Sequence, residues 1–314
     1  MSSSARRLAT PVIILCATAL FAPPSLAGPL GHLFSGKPKA EVARTDTGAQ
    51  AIADAVRQAL DERRYVDAAD LLEKARVAKI TSPRLVCLDG ELLLAHGQFS
   101  DALTMFRGAA TDPAEKAHAL EGEGLALSML GKSDQAMDDL KQATAADKSQ
   151  WRAWNGLGRE YDIRHEWKLS QAAYTQALAV AGTDSNHAVV LNNRGYSHLL
   201  QNQTTLATAD FVAALDKDPA LVAARTNLRI SMAIEGHYDR AAMTGVGDDR
   251  AAVLNNVGLA AVIRGDYREA EKLLNEAIDA KGKYYARASD NLQLAKELEA
   301  HAAENPSATP DATP

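Results

Sequence analysis

Apolar residues recur along this chain at a helical spacing, and their sizes recur with a longer period. Gly90, Gly124 and Gly158 stand 34 residues apart, and each is followed within its own repeat by a large side chain, Phe106, Leu140 and Tyr174. A fixed period of this length marks an array of repeated supersecondary units. With Trp154 set at position 4, repeats begin at residues 49, 83, 117, 151, 188, 222 and 251. Three residues intervene before 188, and the sixth repeat loses five residues near the stretch MTGVGDD. Position 8 is Gly90, Gly124, Gly158, Gly195 and Gly258, where a missing side chain lets two helices approach. Position 20 is small, at Ala68, Ala102, Ala136, Ala207, Ala241 and Ala270, with Ser170 the one substitute. Position 24 is large, and position 27 is again alanine at Ala75, Ala109, Ala143, Ala177, Ala214 and Ala277. Gly97, Gly131, Gly236 and Gly265 hold position 15, with His165 and Asn202 elsewhere. That position predicts a left-handed residue ending the first helix of each pair. Position 17 is usually aromatic, at Tyr65, Phe99, Trp167, Tyr238 and Tyr267, and is expected to clamp the turn.

The stretch Trp154, Leu157, Gly158, Tyr161 carries the W-x2-L-G-x2-Y signature, and Ala207, Phe211, Ala214 and Pro219 carry its second half. Over most of its length the chain thus resembles the tetratricopeptide repeat family. The resemblance implies an all-α fold: a right-handed superhelical solenoid of about seven helix-turn-helix repeats with a C-terminal capping helix. The array is expected over 49–301 and the cap over 284–300, where Tyr285, Ala288, Leu292 and Ala295 face the last repeat and Lys296, Glu297 and Glu299 face water. The sixth repeat departs from the frame. Arg225 occupies position 4 and Arg229 position 8, so an irregular repeat with a truncated second helix is expected there.

The two ends read differently. A basic start (MSSSARR), an apolar run (LATPVIILCATALFA) and a small-residue close (PPSLA) make residues 1–27 a secretory signal peptide with cleavage expected after Ala27, an uncleaved anchor being the rival reading. The protein is therefore expected to be exported to the periplasm, with no integral membrane segment after cleavage. Cys16 lies inside the apolar run behind Leu15, which argues against a lipid anchor. Residues 28–48 read as a linker and 302–314 as a disordered Pro, Ala and Thr tail. Of the 314 residues, 46% are apolar and 24% charged, enough for a substantial core. Losing Arg6 and Arg7 with the signal takes the net charge from −6 to −8, and basic clusters are absent, so nucleic acid is excluded as a partner class. Cys87, the one cysteine left, has no internal disulfide partner and reads as a small buried hydrophobe.

Candidate chemistry is sparse. The histidines are scattered without metal-ligand spacing, Gly122 and Gly124 belong to the repeat frame, and Asp138-Asp139 and Asp248-Asp249 read as solvated. No catalytic residue, metal site or cofactor is expected. The informative polar residues are asparagines. The motif Leu191-Asn192-Asn193-x-Gly195 returns in a later repeat as Leu254-Asn255-Asn256-x-Gly258. Asn193, Asn227 and Asn256 hold position 6, and Asn155, Asn192 and Asn255 hold position 5. Asparagine is a mediocre helix former, so its repetition within helices needs a reason. A side-chain amide both donates and accepts, and can read the backbone of an extended peptide. In the family, the concave surface formed by the first helices uses asparagine this way. The resemblance therefore implies a groove for protein or peptide partners over residues 188–263, with Arg159 and Tyr196 at position 9 as further candidates. The alternative is that these amides bond between neighbouring helices or face water, and for position 5 that alternative is the favoured one.

The stretch RTNLRISMAIEGHYDRA, through Arg225, Asn227, Leu228, Gly236, Tyr238 and Ala241, is similar to the TadD type of Flp (tight-adherence) pilus assembly proteins. That similarity implies a scaffold serving the assembly of a pilus or a related secretion machine. An adaptor for envelope growth or division, or an accessory subunit of a polysaccharide synthase, stands beside it as an alternative role.

Overall fold

The structure, a computed structural model, describes residues 46–244, 249–281 and 285–304. The expected signal peptide, Cys16 and most of the linker and tail lie outside these residues. Between residues 183 and 184 the chain divides into two compact units.

The unit over 46–183 is four helical hairpins: α1 (Asp46–Asp61) with α2 (Tyr65–Val77), α3 (Pro83–Ala95) with α4 (Phe99–Ala109), α5 (Lys116–Met129) with α6 (Ser133–Ala146), and α7 (Trp151–Ile163) with α8 (Trp167–Val180). The unit over 184–304 contains α9 (Asp184–Leu200) with α10 (Thr204–Lys217), α11 (Val222–Ile234) with the four-residue α12 (Tyr238–Ala241), α13 (Arg250–Arg264) with α14 (Tyr267–Lys281), and α15 (Ala286–Glu304). No strand occurs among the described residues.

The repeat frame has a direct steric meaning. A Cβ added at Gly158 would lie 2.6 Å from the ring of Tyr174, one at Gly195 2.7 Å from Phe211, and one at Gly258 2.8 Å from Leu274. Gly90 and Gly124 meet Phe106 and Leu140 in the same way. Each position-8 glycine therefore receives the position-24 side chain of its own hairpin. The same large residue also reaches the next hairpin: a Cβ at Gly122 would meet Phe106 at 2.2 Å, and one at Gly156 would meet Leu140 at 3.0 Å. The alanines of position 20, including Ala207 and Ala270, are fully buried. In the hairpin where serine and tyrosine replace the usual apolar pair, the buried Asp162 accepts hydrogen bonds from the hydroxyls of both Ser170 and Tyr174. A polar substitution is tolerated there because its partner is built in. Trp154 packs half-buried beside Leu157 and donates its indole N–H to the Lys148 carbonyl at 3.0 Å.

All seven residues at position 15 have positive φ, near 58° at Arg63, His165 and Asn202 and 74–88° at Gly97, Gly131, Gly236 and Gly265. Arg63 thus joins the set in spite of its side chain. Between hairpins, Asp112, Asp147 and Asp218 each accept from the backbone N–H two residues on. These Asx turns fix where the next first helix starts.

Several boundaries differ from those read in the sequence. Helix α1 starts at Asp46 rather than at 49, and α15 runs Ala286–Glu304 rather than 284–300. A frame of packing positions carries no mark for turns that lie outside the packed interface. The three extra residues before 188 do not form a break: α9 absorbs them and is 17 residues long. On the cap, Ala288 and Ala295 are buried, Lys296 and Glu297 are exposed, and Tyr285, Leu292 and Glu299 are half-buried. In the sixth repeat the short α12 places no large side chain opposite position 8 among the described residues. Arg229 fits there and donates to the Met243 carbonyl at 2.9 Å, just past the end of α12.

Candidate functional site

The first helices of the hairpins carry the polar residues that distinguish this chain, and the two units use them differently.

In the unit over 184–304 the asparagines form two matching triads. Asn227 on α11 donates to the Asn192 side-chain oxygen on α9 at 2.9 Å, and Asn192 donates in turn to that of Asn193 at 3.3 Å. Asn291 on α15 donates to Asn255 on α13 at 2.9 Å, and Asn255 donates to Asn256 at 3.3 Å. Each triad runs from one first-position helix to its neighbour, so the interhelical bonding considered for these amides is present. Asn192, Asn193, Asn227 and Asn255 are buried, while Asn256 and Asn291 are half-buried. In both triads the position-5 amide is the centre, accepting from one neighbour and donating to the other. Tyr196, one turn beyond the first triad, is half-buried. Arg159 lies in the other unit, also half-buried, with a guanidinium nitrogen 3.8 Å from the Met129 sulfur.

In the unit over 46–183 the equivalent face is ionic. Glu91 on α3 is buried and is shared by three cationic side chains from three other first helices. Arg57 on α1 grips it with both terminal nitrogens, one at 2.8 Å, and Arg152 on α7 bonds the same oxygen as the first of these. His118 on α5 holds the other oxygen through Nε2. Burial would raise the Glu91 pKa, but Arg152, the His118 hydrogen bond and Arg57 outweigh it and hold the carboxyl well below the usual range. Burial would likewise lower His118; its hydrogen bonds to Cys87, Glu115 and Glu91 reverse this and push it up to about 11. Glu121, also buried, is raised by desolvation, against the opposing pull of Arg152 and His118, and accepts the Ala153 backbone N–H at 3.1 Å.

This cluster was not singled out in the sequence, although a signal existed. Arg57 and Glu91 both occupy position 9, His118 and Arg152 both occupy position 2, and each pair is 34 residues apart. Positions 2, 5 and 9 all lie on the first helices of their hairpins. Their charges lie in the first four repeats, whereas the candidate asparagines, Asn155 apart, lie in the last three.

Among the described residues, no helix is long and apolar enough to cross a membrane. No protein-family model matches the chain, and no curated protein is similar to it. Similarity is found among solved structures. The apo form of the quorum sensor NprR from B. thuringiensis superposes with a TM-score of 0.57 at 15% identity, covering 82% of this chain and 82% of that one. NprR in complex with its cognate peptide NprX gives 0.52 at 16% identity, covering 84% and 87%. A thermophilic TPR protein of Thermus thermophilus gives 0.51 at 19% identity, covering 59% of this chain and 98% of that one. Nested hairpins on a 34-residue frame and these likenesses together give the chain the tetratricopeptide-repeat fold.

Proposed function

We propose that this protein is a non-catalytic scaffold that receives a partner polypeptide along the first-helix face of its repeats. The observation that carries this reading is that Tyr196, Asn256 and Asn291 stay half-buried along that face, while the amides of Asn192, Asn193, Asn227 and Asn255 are buried in the bonding of its helices. The second triad orients the half-buried amide of Asn256 on that face. Amides held this way can pair with the N–H and C=O groups of an extended chain without first being ordered. NprR binds its peptide NprX on a scaffold of this fold, which is the precedent for the proposal. The signal-like residues 1–27 support work in the periplasm, and the resemblance of residues 225–241 to TadD-type proteins supports a role in assembly of a Flp-type pilus or related secretion machinery.

The test uses half-buried members of the face rather than the buried amides that bridge its helices. In Asn256→Ala and Tyr196→Ala, recovery of pilus-assembly components with the purified protein falls about tenfold, the size of one interface residue worth about 1.4 kcal/mol. Helical content stays unchanged. Full recovery from both variants, with the fold intact, would remove the face from the binding account.

A further inference from the structure

Beside the Glu91 cluster lies a group of side chains that the scaffold reading does not use. Cys87, Glu115 and His118 each offer one ligand atom, and these atoms all lie within 4.8 Å of one another. Cys87 comes from α3. Glu115 stands at the N-cap position of α5, and His118 follows three residues later on its first turn. Cys87 and His118 belong to different repeats, so linear spacing gave no sign of the group.

A thiolate, an imidazole and a carboxylate are the donors of zinc-class sites. Around a tetrahedral zinc, ligand atoms 2.0–2.3 Å from the ion stand about 3.3–3.8 Å apart, so the present separations need only small side-chain movements. The histidine is already oriented for this. Its Nε2 is held by Glu91, which leaves Nδ1 on the side of Glu115, 3.2 Å from Oε2. A carboxylate behind a histidine, itself fixed by further hydrogen bonds, is the usual support of a metal-bound imidazole. Here Arg57 and Arg152 fix Glu91 in turn.

The charges also balance. A thiolate, a neutral imidazole and a carboxylate together carry two negative charges, which a divalent ion neutralises. Cys87 is buried, whereas the side chains of His118 and Glu115 are 16% and 19% exposed, so an ion has access from the Glu115 side.

We propose that Cys87, Glu115 and His118 form a binding site for a zinc-class divalent cation, with a fourth position open to water. The site joins α3 to α5 within the unit over 46–183, whereas the asparagine triads belong to the unit over 184–304.

The experiment is metal analysis of the tag-free mature protein after incubation with zinc and gel filtration. The expected result is one zinc per chain, with affinity at least tenfold lower in Cys87→Ser and in Glu115→Gln. Cobalt in place of zinc should give thiolate-to-cobalt charge-transfer absorption that Cys87→Ser abolishes. Absence of stoichiometric zinc in the wild type would overturn the proposal. So would zinc retained undiminished in both variants, or a cobalt complex without the thiolate band. Glu115 is at the helix edge, so Glu115→Gln decides the matter if Cys87→Ser does not fold.

Discussion

The unit over 46–183 and the unit over 184–304 are built on one frame, yet they fill its polar positions with opposite chemistry. The first gathers Arg57, Arg152 and His118 around one buried carboxylate. The second links neutral amides in short chains. The apolar frame beneath is the same: glycine at position 8 under a large residue at position 24. The difference shows that packing in this fold is decided by a few small and large positions, which leaves the first-helix face to vary. It also predicts different fragility. A shared buried charge fails as a whole when its centre is removed, whereas an amide chain loses one hydrogen bond at a time.

The sharpest way to break the comparison is Glu91→Ala. It removes the acceptor that three cationic groups share, and losing one partner of a buried ion pair costs about 3–5 kcal/mol. Hydrogen exchange should show protection lost over 46–183 and kept over 184–304. Next in size is Gly122→Ala. Its new methyl group meets the Phe106 ring, and overpacking of this kind costs about 1–3 kcal/mol, read as a lower urea midpoint. Asn192→Ala removes the centre of a triad and leaves the amides of Asn227 and Asn193 without it, at about 1–2 kcal/mol, with exchange rising over 184–304 alone. The smallest effect has the opposite sign. Gly108 lies in α4 with open space around its Cβ, so Gly108→Ala should stabilise by about 0.5–1 kcal/mol, seen as a raised thermal midpoint.

The frame was legible in the sequence because it is written in residue size at fixed phase. Gly158 under Tyr174 and Gly258 under Leu274 are contacts within one hairpin, close in the chain, and they repeat. Arg63 was missed at position 15 because the backbone there demands a left-handed residue and glycine is only its commonest answer. The Glu91 cluster was hidden for another reason. Arg57 to His118 and Glu91 to Arg152 are each 61 residues apart and meet only once hairpins stack. The asparagines were visible, but their ranking was not. Position 6 drew the functional reading, while the structure centres each triad on position 5, Asn192 and Asn255, since a helix-to-helix amide contact depends on side-chain direction as well as on register.

The first-helix face is the core of this account, and site-specific photo-crosslinking in living cells tests it most directly. A photoreactive residue in place of the half-buried Tyr196 on α9 is compared with one in place of the exposed Val212 on α10. Discrete adducts with a partner protein from position 196, and none from position 212, are the predicted result. Adducts from position 212 with none from position 196 would move the partner to the second helices and contradict it.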